Sequence, residues 1–306
     1  MIEHLIPVLI GTLAAATPLI FAGLGELVAE KSGVINLGVE GMMLIGAVAG
    51  FGAALHWGLV AGFIAGALAG ALAALPFALL TLSLGANQAA SGLALTIFGS
   101  GLSAFVGQYL VSESLPGLQP WPIPGLSAIP VIGPIFFNQT VVVYLSYAAA
   151  IIVTWVLAKT RWGLVLRAVG ESPEAAHTIG YPVTAIRYGA VCFGGAMAGI
   201  AGAYLSTVYT PLWVQNMTAG RGWIAVALVV FATWKPLRLL LGAYLFGGMT
   251  ILQLHAQGLG VDLPSQLLSA IPYVATIVVL VLISRDRNLL LLNLPASLGK
   301  PFIPGG

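Results

Sequence analysis

Apolar runs of about 20 residues, separated by short polar or glycine-rich breaks, recur along most of the chain. They fall at roughly 6–28, 35–55, 58–82, 90–111, 139–158, 188–208, 221–234, 239–257 and 266–284. A helix of about that length crosses a bilayer core of about 30 Å. The pattern predicts an all-α polytopic membrane protein with about nine transmembrane helices, within a range of eight to ten. The breaks are local signals. Lys31-Ser32-Gly33 stops the first helix, His56-Trp57-Gly58 makes a corner, Ser83 to Gln88 makes a polar turn, and Pro211 is followed by Gln215 and Asn216. The run 221–234 is short and reads either as a full span or as a half-helix. No internal repeat is visible in the sequence, and inverted repeats of membrane transport proteins are often too diverged to see.

Composition excludes a soluble domain. Apolar residues make up 59% of the chain and charged residues only 7%, where soluble chains are about a quarter charged. The 39 glycines suit close helix packing in lipid, where small residues let backbones approach. A net charge of +2 implies no nucleic-acid surface. The single Cys192 lies in an apolar run and excludes an internal disulfide. The first apolar run shows no small-residue cleavage site of a signal peptide and is expected to be a span.

Charge then orients the spans. Gly41 to Ser112 carries no Asp, Glu, Lys or Arg, whereas Lys159 to Arg187 carries four basic residues and two glutamates. With the amino terminus outside, Lys31, Lys159, Arg161, Arg167, Arg187, Lys235, Arg238, Arg285, Arg287 and Lys300 fall inside, ten of the eleven basic residues. Positive residues favour the cytoplasmic side, so the carboxy terminus is cytoplasmic and residues 113–138, which lack Lys and Arg, form an extracytoplasmic loop. Arg221 is the exception, expected on the outer side. Residues 159–187 become a cytoplasmic loop inside a single membrane domain spanning 1–306. Within it Ser172 suits a helix N-cap and Pro173 the first helical position. Glu174 complements the positive helix end, and Gly180 suits the residue that closes a helix. A helix over Pro173–Ile179 follows. It reads as a lever for a soluble subunit or, alternatively, as a solvated connector.

A few polar residues stand out in the apolar background. Asn36 and Glu40 are spaced to share a face of the second helix. Ionisable groups at a span are costly unless paired or facing water. These two therefore line the inner mouth or gate of a pathway, or else Glu40 caps a neighbouring helix or pairs with a base. Glu26 and Glu30 read as structural. Asn87 and Gln88 sit at an inner turn and either line an exit or shape the turn. Arg221 either steers a polar solute or reaches lipid phosphate. Trp121, Trp213 and Trp223 are expected near the outer side as interfacial anchors. No phosphate-binding G-x-x-x-x-G-K-[ST] loop is present, no His or Cys spacing marks a metal site, and no catalytic constellation appears.

Three motifs in order carry a family resemblance. Glu174-Ala175-Ala176 with Gly180 resembles the cytoplasmic-loop signature of ABC importer permeases, without the Ile-X-Leu-Pro continuation of the maltose type. The wider phrase Leu166 to Ala176 is similar to the branched-chain amino acid, ribose and nucleoside permease family. So are Thr17 to Gly23 with Glu30 to Met43, and Gly220 to Ala225. Within that family the chain most resembles the shorter permease of bacterial nucleoside importers. The resemblance implies a non-catalytic permease subunit of a bacterial cytoplasmic (inner) membrane importer, moving a nucleoside by alternating access. It implies three protein partners: a cytoplasmic ATPase with two nucleotide sites, a second homologous permease, and an extracytoplasmic substrate-binding lipoprotein. ATP is bound by the ATPase, and this chain needs no cofactor. Coupling to the ATPase would use Arg167, Glu171, Pro173, Glu174, Ala175, Ala176 and Gly180. Ribose or another simple sugar is the alternative solute. An ion-coupled transporter using Glu40, Asp262 or Arg221 is the alternative mechanism.

Overall fold

The computed structural model describes residues 2–258 and 293–302, with isolated helical positions between 267 and 281. More than half of the expected span over 266–284, and all of Asp262, Arg285 and Arg287, fall outside them. Eleven helices are described: α1 (Ile2–Lys31), α2 (Val39–Trp57), α3 (Leu59–Ala78), α4 (Gln88–Gly107), α5 (Ile132–Phe136), α6 (Val141–Lys159), α7 (Arg161–Glu171), α8 (Pro173–Thr178), α9 (Val183–Tyr204), α10 (Arg221–Phe231) and α11 (Pro236–Gly258). A π-helical turn extends α3 to Ser83, and another extends α9 to Tyr209. Among the described residues, seven helices are long and apolar enough to cross a membrane: α1, α2, α3, α4, α6, α9 and α11. The chain is a helical, polytopic membrane protein.

Glycines set the centre of the bundle. α3 and α9 touch backbone to backbone: a Cβ added to Gly70 would lie 2.8 Å from the Cα of Gly199 and closer still to the Gly195 carbonyl. Gly46 of α2 meets Gly199 in the same way. Without water to drive apolar surfaces together, such close van der Waals packing is what associates helices in lipid. The outward ridge of α3, Val60, Ile64, Leu68 and Leu72, is exposed, and its i, i+4 spacing makes one continuous lipid-facing strip.

Basic residues collect at one end. There α1 ends on Lys31, α6 ends on Lys159, and α7 carries Arg161 and Arg167. Lys31 Nζ donates to the Asn293 carbonyl at 2.8 Å, which brings the 293–302 segment with Lys300 to the same place. The Trp234 indole donates to Glu30 at 2.6 Å, which brings Lys235 and Arg238 there too. The opposite end holds the Trp57 corner and residues 108–140, where Trp121–Pro122 pairs antiparallel with Asn138–Gln139.

Two expectations change. Residues 159–187 are no simple loop: α7 occupies Arg161–Glu171, and α9 already starts at Val183 rather than 188. Arg187 consequently lies inside α9 and is buried, 1% exposed. The run 221–234 yields an α10 of 11 residues. At 1.5 Å per residue that is about 16 Å, half of a bilayer core.

Candidate functional site

The foot at the basic end is built by local chemistry. Ser172 caps α8, its Oγ accepting from the Ala175 N–H at 3.3 Å, and Pro173 occupies the first turn. Gly180 follows with φ +94°, a conformation glycine adopts without steric cost. Pro173 and Ala176 turn inward and are buried, with Ala176 packed on Val169 and Val183. Glu174, Ala175, His177, Ile179 and Gly180 face out, and Ile179 is 72% exposed. Arg167 and Glu171 lie on the exposed side of α7. The coupling residues singled out in the sequence thus divide into a buried anchoring pair, Pro173 and Ala176, and exposed Arg167, Glu171, Glu174, Ala175 and Gly180, beside which Ile179, not singled out, adds a large apolar side chain.

A second site lies deep in the bundle. After α9 the chain turns back inward alongside α4. Trp213 packs against Gly107 at the end of α4. The Ser100 hydroxyl donates to the Asn216 side chain at 3.0 Å. The loop then reaches Glu40. Its carboxylate accepts from the Thr218 hydroxyl at 2.6 Å, from the Gly220 N–H at 2.8 Å and from the Gly222 N–H at 2.6 Å. Glu40 sits beside Gly41, which meets Gly99 a little past the middle of the 20-residue α4. Residues 210–220 are therefore a re-entrant segment that descends to mid-bundle. α10 completes the crossing from there to the basic end, where Trp234 meets Glu30. A carboxylate at a helix N-terminus satisfies orphan N–H groups and complements the helix dipole. Gly222 has no room for a side chain, since a Cβ there would lie 2.5 Å from the Glu40 Cα.

This geometry relocates several residues. Glu40 is buried near mid-depth rather than at the inner mouth. Arg221 and Trp223 open α10 at the same depth, not at the outer end, because the loop before them has already descended. The Arg221 guanidinium donates to the carbonyls of Met217 and Thr218 at 3.2 and 3.3 Å and lies over the Tyr209 ring, 5.7 Å from its centroid. Asn36 precedes α2 instead of sharing a face with Glu40. Its side chain accepts from the Gly38 N–H at 2.9 Å, and its own N–H donates to Glu26 at 2.8 Å. Asn87 caps α4 through the Ala90 N–H, and Gln88 accepts from the Ile35 N–H at 2.8 Å. Gln215, Asn216 and Trp223 are exposed on the face of this region. Trp213, expected as an outer anchor, is buried at 3% exposure. Among the described residues no group of three or more His, Cys, Asp or Glu could hold a metal.

Comparison with known proteins decides the family. Residues 8–283 match the family described as branched-chain amino acid transport system / permease component. The chain belongs to this permease family. The permease is 44% identical to a Haloferax volcanii protein whose name assigns it provisionally as a glucose ABC transporter permease, over 88% of this chain and 89% of that one. It is 36% identical to a nucleoside ABC transporter permease of Lactococcus lactis, over 87% and 89%. It is 32% identical to a guanosine ABC transporter permease of Bacillus subtilis, over 96% and 95%. No solved structure gives a significant match. The protein is thus a multi-pass cytoplasmic-membrane permease component of an ABC transporter, a transport subunit rather than a catalyst.

Proposed function

We propose that the permease forms one wall of the translocation path for a nucleoside in an ATP-driven importer, and that α8 takes up the movement of a partner ATPase. The observation that carries this reading is the re-entrant segment. Non-helical backbone at membrane depth is tolerated only inside protein or along a water-filled cavity. This segment presents exposed Gln215 and Asn216 at that depth. Lipid cannot solvate them, so water and solute do. Arg221, Asn36, Glu40, Asn87 and Gln88 then position the wall and its inner end, and Glu40 does so by holding the start of α10.

An incomplete wall needs a second one, and a second homologous permease chain supplies it, with a heterodimer as the arrangement. The chain carries no nucleotide loop, so ATP belongs to a cytoplasmic ATPase with two sites. An extracytoplasmic lipoprotein delivers the solute. The outward face of α8, with Glu174, Ala175, Ile179 and Gly180, docks on the ATPase, while buried Pro173 and Ala176 hold that face in place and Arg167 and Glu171 border it. The basic end is cytoplasmic and the amino terminus outside, residues 113–138 face outward, and residues 1–306 act as one membrane domain. ATP-driven closure of the motor tilts α8 and opens the path outward; hydrolysis resets it.

Nucleoside is favoured because two relatives are named for nucleoside and guanosine transport. A simple sugar is the second reading, because a third relative is named for glucose. Reconstitution tests both. Proteoliposomes holding this permease, its partner permease, the ATPase and the binding lipoprotein are expected to take up labelled guanosine only with ATP. Unlabelled nucleoside in tenfold excess is expected to block that uptake and glucose to leave it unchanged. Uptake by the permease alone would overturn the ATP-driven reading, and block by glucose alone would replace the solute. Glu174→Arg is expected to lower ATPase co-purification at least about tenfold while the permease still folds, since this side chain is exposed.

A further inference from the structure

Arg187 was expected as one more cytoplasmic charge, yet the structure buries it at the crossing of three separate chain segments. Its Nε donates to the Ser32 carbonyl in the α1–α2 turn at 3.0 Å. Its Nη2 donates to the Ser297 hydroxyl at 2.9 Å, and its Nη1 to the Lys300 carbonyl at 3.3 Å. Ser297 in turn donates from both its hydroxyl and its N–H to the Gly170 carbonyl, at 2.7 and 3.0 Å. Gly170 is the penultimate residue of α7, two residues before the cap of α8. Its Cα packs on the Lys31 carbonyl with no space for a side chain. Phe302 of the same carboxy-terminal segment lies against the His177 ring of α8, centroids 5.7 Å apart.

The connections continue upward. From Ser32 the chain runs through Ile35, held by Gln88 of α4, and Asn36, held by Glu26 of α1, into the first turn of α2. That turn carries Glu40, which grips the re-entrant segment. A buried guanidinium hydrogen-bonded only to neutral acceptors, with Glu174 supporting its charge through space, is costly to keep, and simple packing would not need one. Its planar fork fixes three acceptors at set angles, which a lysine ammonium on a flexible stem does not do.

We infer that Arg187 and Ser297 are positioning residues of a relay that makes α8, the carboxy-terminal segment and the α1–α2 turn move as one body, so that displacement of the foot is delivered through Glu40 to the mid-bilayer loop. The inference rests on the permease reading above. A relay of this kind is read as motion at its far end, the mid-bilayer loop.

The experiment uses the complete transporter. In a Cys192→Ala background, which removes the only cysteine, Gln215→Cys reports access of a water-soluble maleimide to the loop, with and without trapped ATP. The wild-type relay is expected to give a labelling rate that changes at least about fivefold on ATP trapping. Arg187→Lys is expected to bring that change below about twofold, and to lower uptake per ATP hydrolysed about tenfold, with ATPase co-purification unchanged. Ser297→Ala is the milder variant should Arg187→Lys not fold. It removes one hydroxyl and is expected to shift the same two readouts in the same direction. The double variant is expected to be no worse than Arg187→Lys alone, because both act in one chain of bonds. Additive losses, or an ATP-dependent labelling change that survives in both single variants, would overturn the relay alone. A wild-type transporter that moves solute without its ATPase would overturn the permease reading and the relay with it.

Discussion

Glu40 receives three hydrogen bonds while itself buried, so solvent does not readily replace them. Glu40→Ala strands the Thr218 hydroxyl and the N–H groups of Gly220 and Gly222. Hydrogen bonds to a charged group contribute about 1.5–3 kcal/mol each, so the expected loss is on the order of 4 kcal/mol or more. Glu40→Gln keeps one acceptor oxygen and is expected to lose about half of that. Thermal unfolding in detergent should rank wild type above Glu40→Gln above Glu40→Ala, and equal midpoints would contradict the clamp. Glu26 makes a smaller version of the same case. It is buried and accepts from the Asn36 N–H, so Glu26→Gln should be tolerated better than Glu26→Ala. The sequence displayed these acids as anomalies in an apolar run. It could not display their partners, since Glu40 and Gly222 are joined only by the folded path of the chain between them.

At the scale of elements, local signals read well and depth read poorly. The start and stop of α8 were legible because Ser172, Pro173 and Gly180 act within a few residues of themselves. α7 was not, because its two glycines and scattered charges resemble a linker until one face packs on α6. The depth of α10 was illegible because an apolar stretch of that length looks the same in a half-helix and a short span. What separates them is the Glu40 clamp, contributed by a different helix. Glycine content foretold close packing without saying which glycines meet. The structure supplies that pairing and a prediction. Gly199 of α9 faces the backbones of Gly66 and Gly70, so Gly199→Val should drive α3 away and leave little folded permease in the membrane fraction. Gly189, on the same helix, faces open space. Gly189→Ala should fold normally and gain up to about 1 kcal/mol of helix stability. Comparable yields from Gly199→Val and Gly189→Ala would refute the contact between α3 and α9.

For the whole molecule, the decisive asymmetry is the gathering of Lys31, Lys159, Arg161, Arg167, Lys235, Arg238 and Lys300 at the end that also carries α8. Insertion retains such residues on the cytoplasmic side, and an ATPase can reach α8 only there. Orientation and function therefore stand or fall together, and neither α8 nor the re-entrant segment could work as proposed in an inverted chain. Two exposed positions distinguish the cases: His177 on α8, and Ala128 in the 108–140 segment at the opposite end. With Cys192→Ala as background, a membrane-impermeant maleimide applied to intact cells should label Ala128→Cys at once. His177→Cys should stay unlabelled until the membrane is permeabilised. Labelling of His177→Cys in intact cells would invert the topology, place the foot beyond the reach of any cytoplasmic motor, and leave the mid-bilayer loop opening from the wrong side.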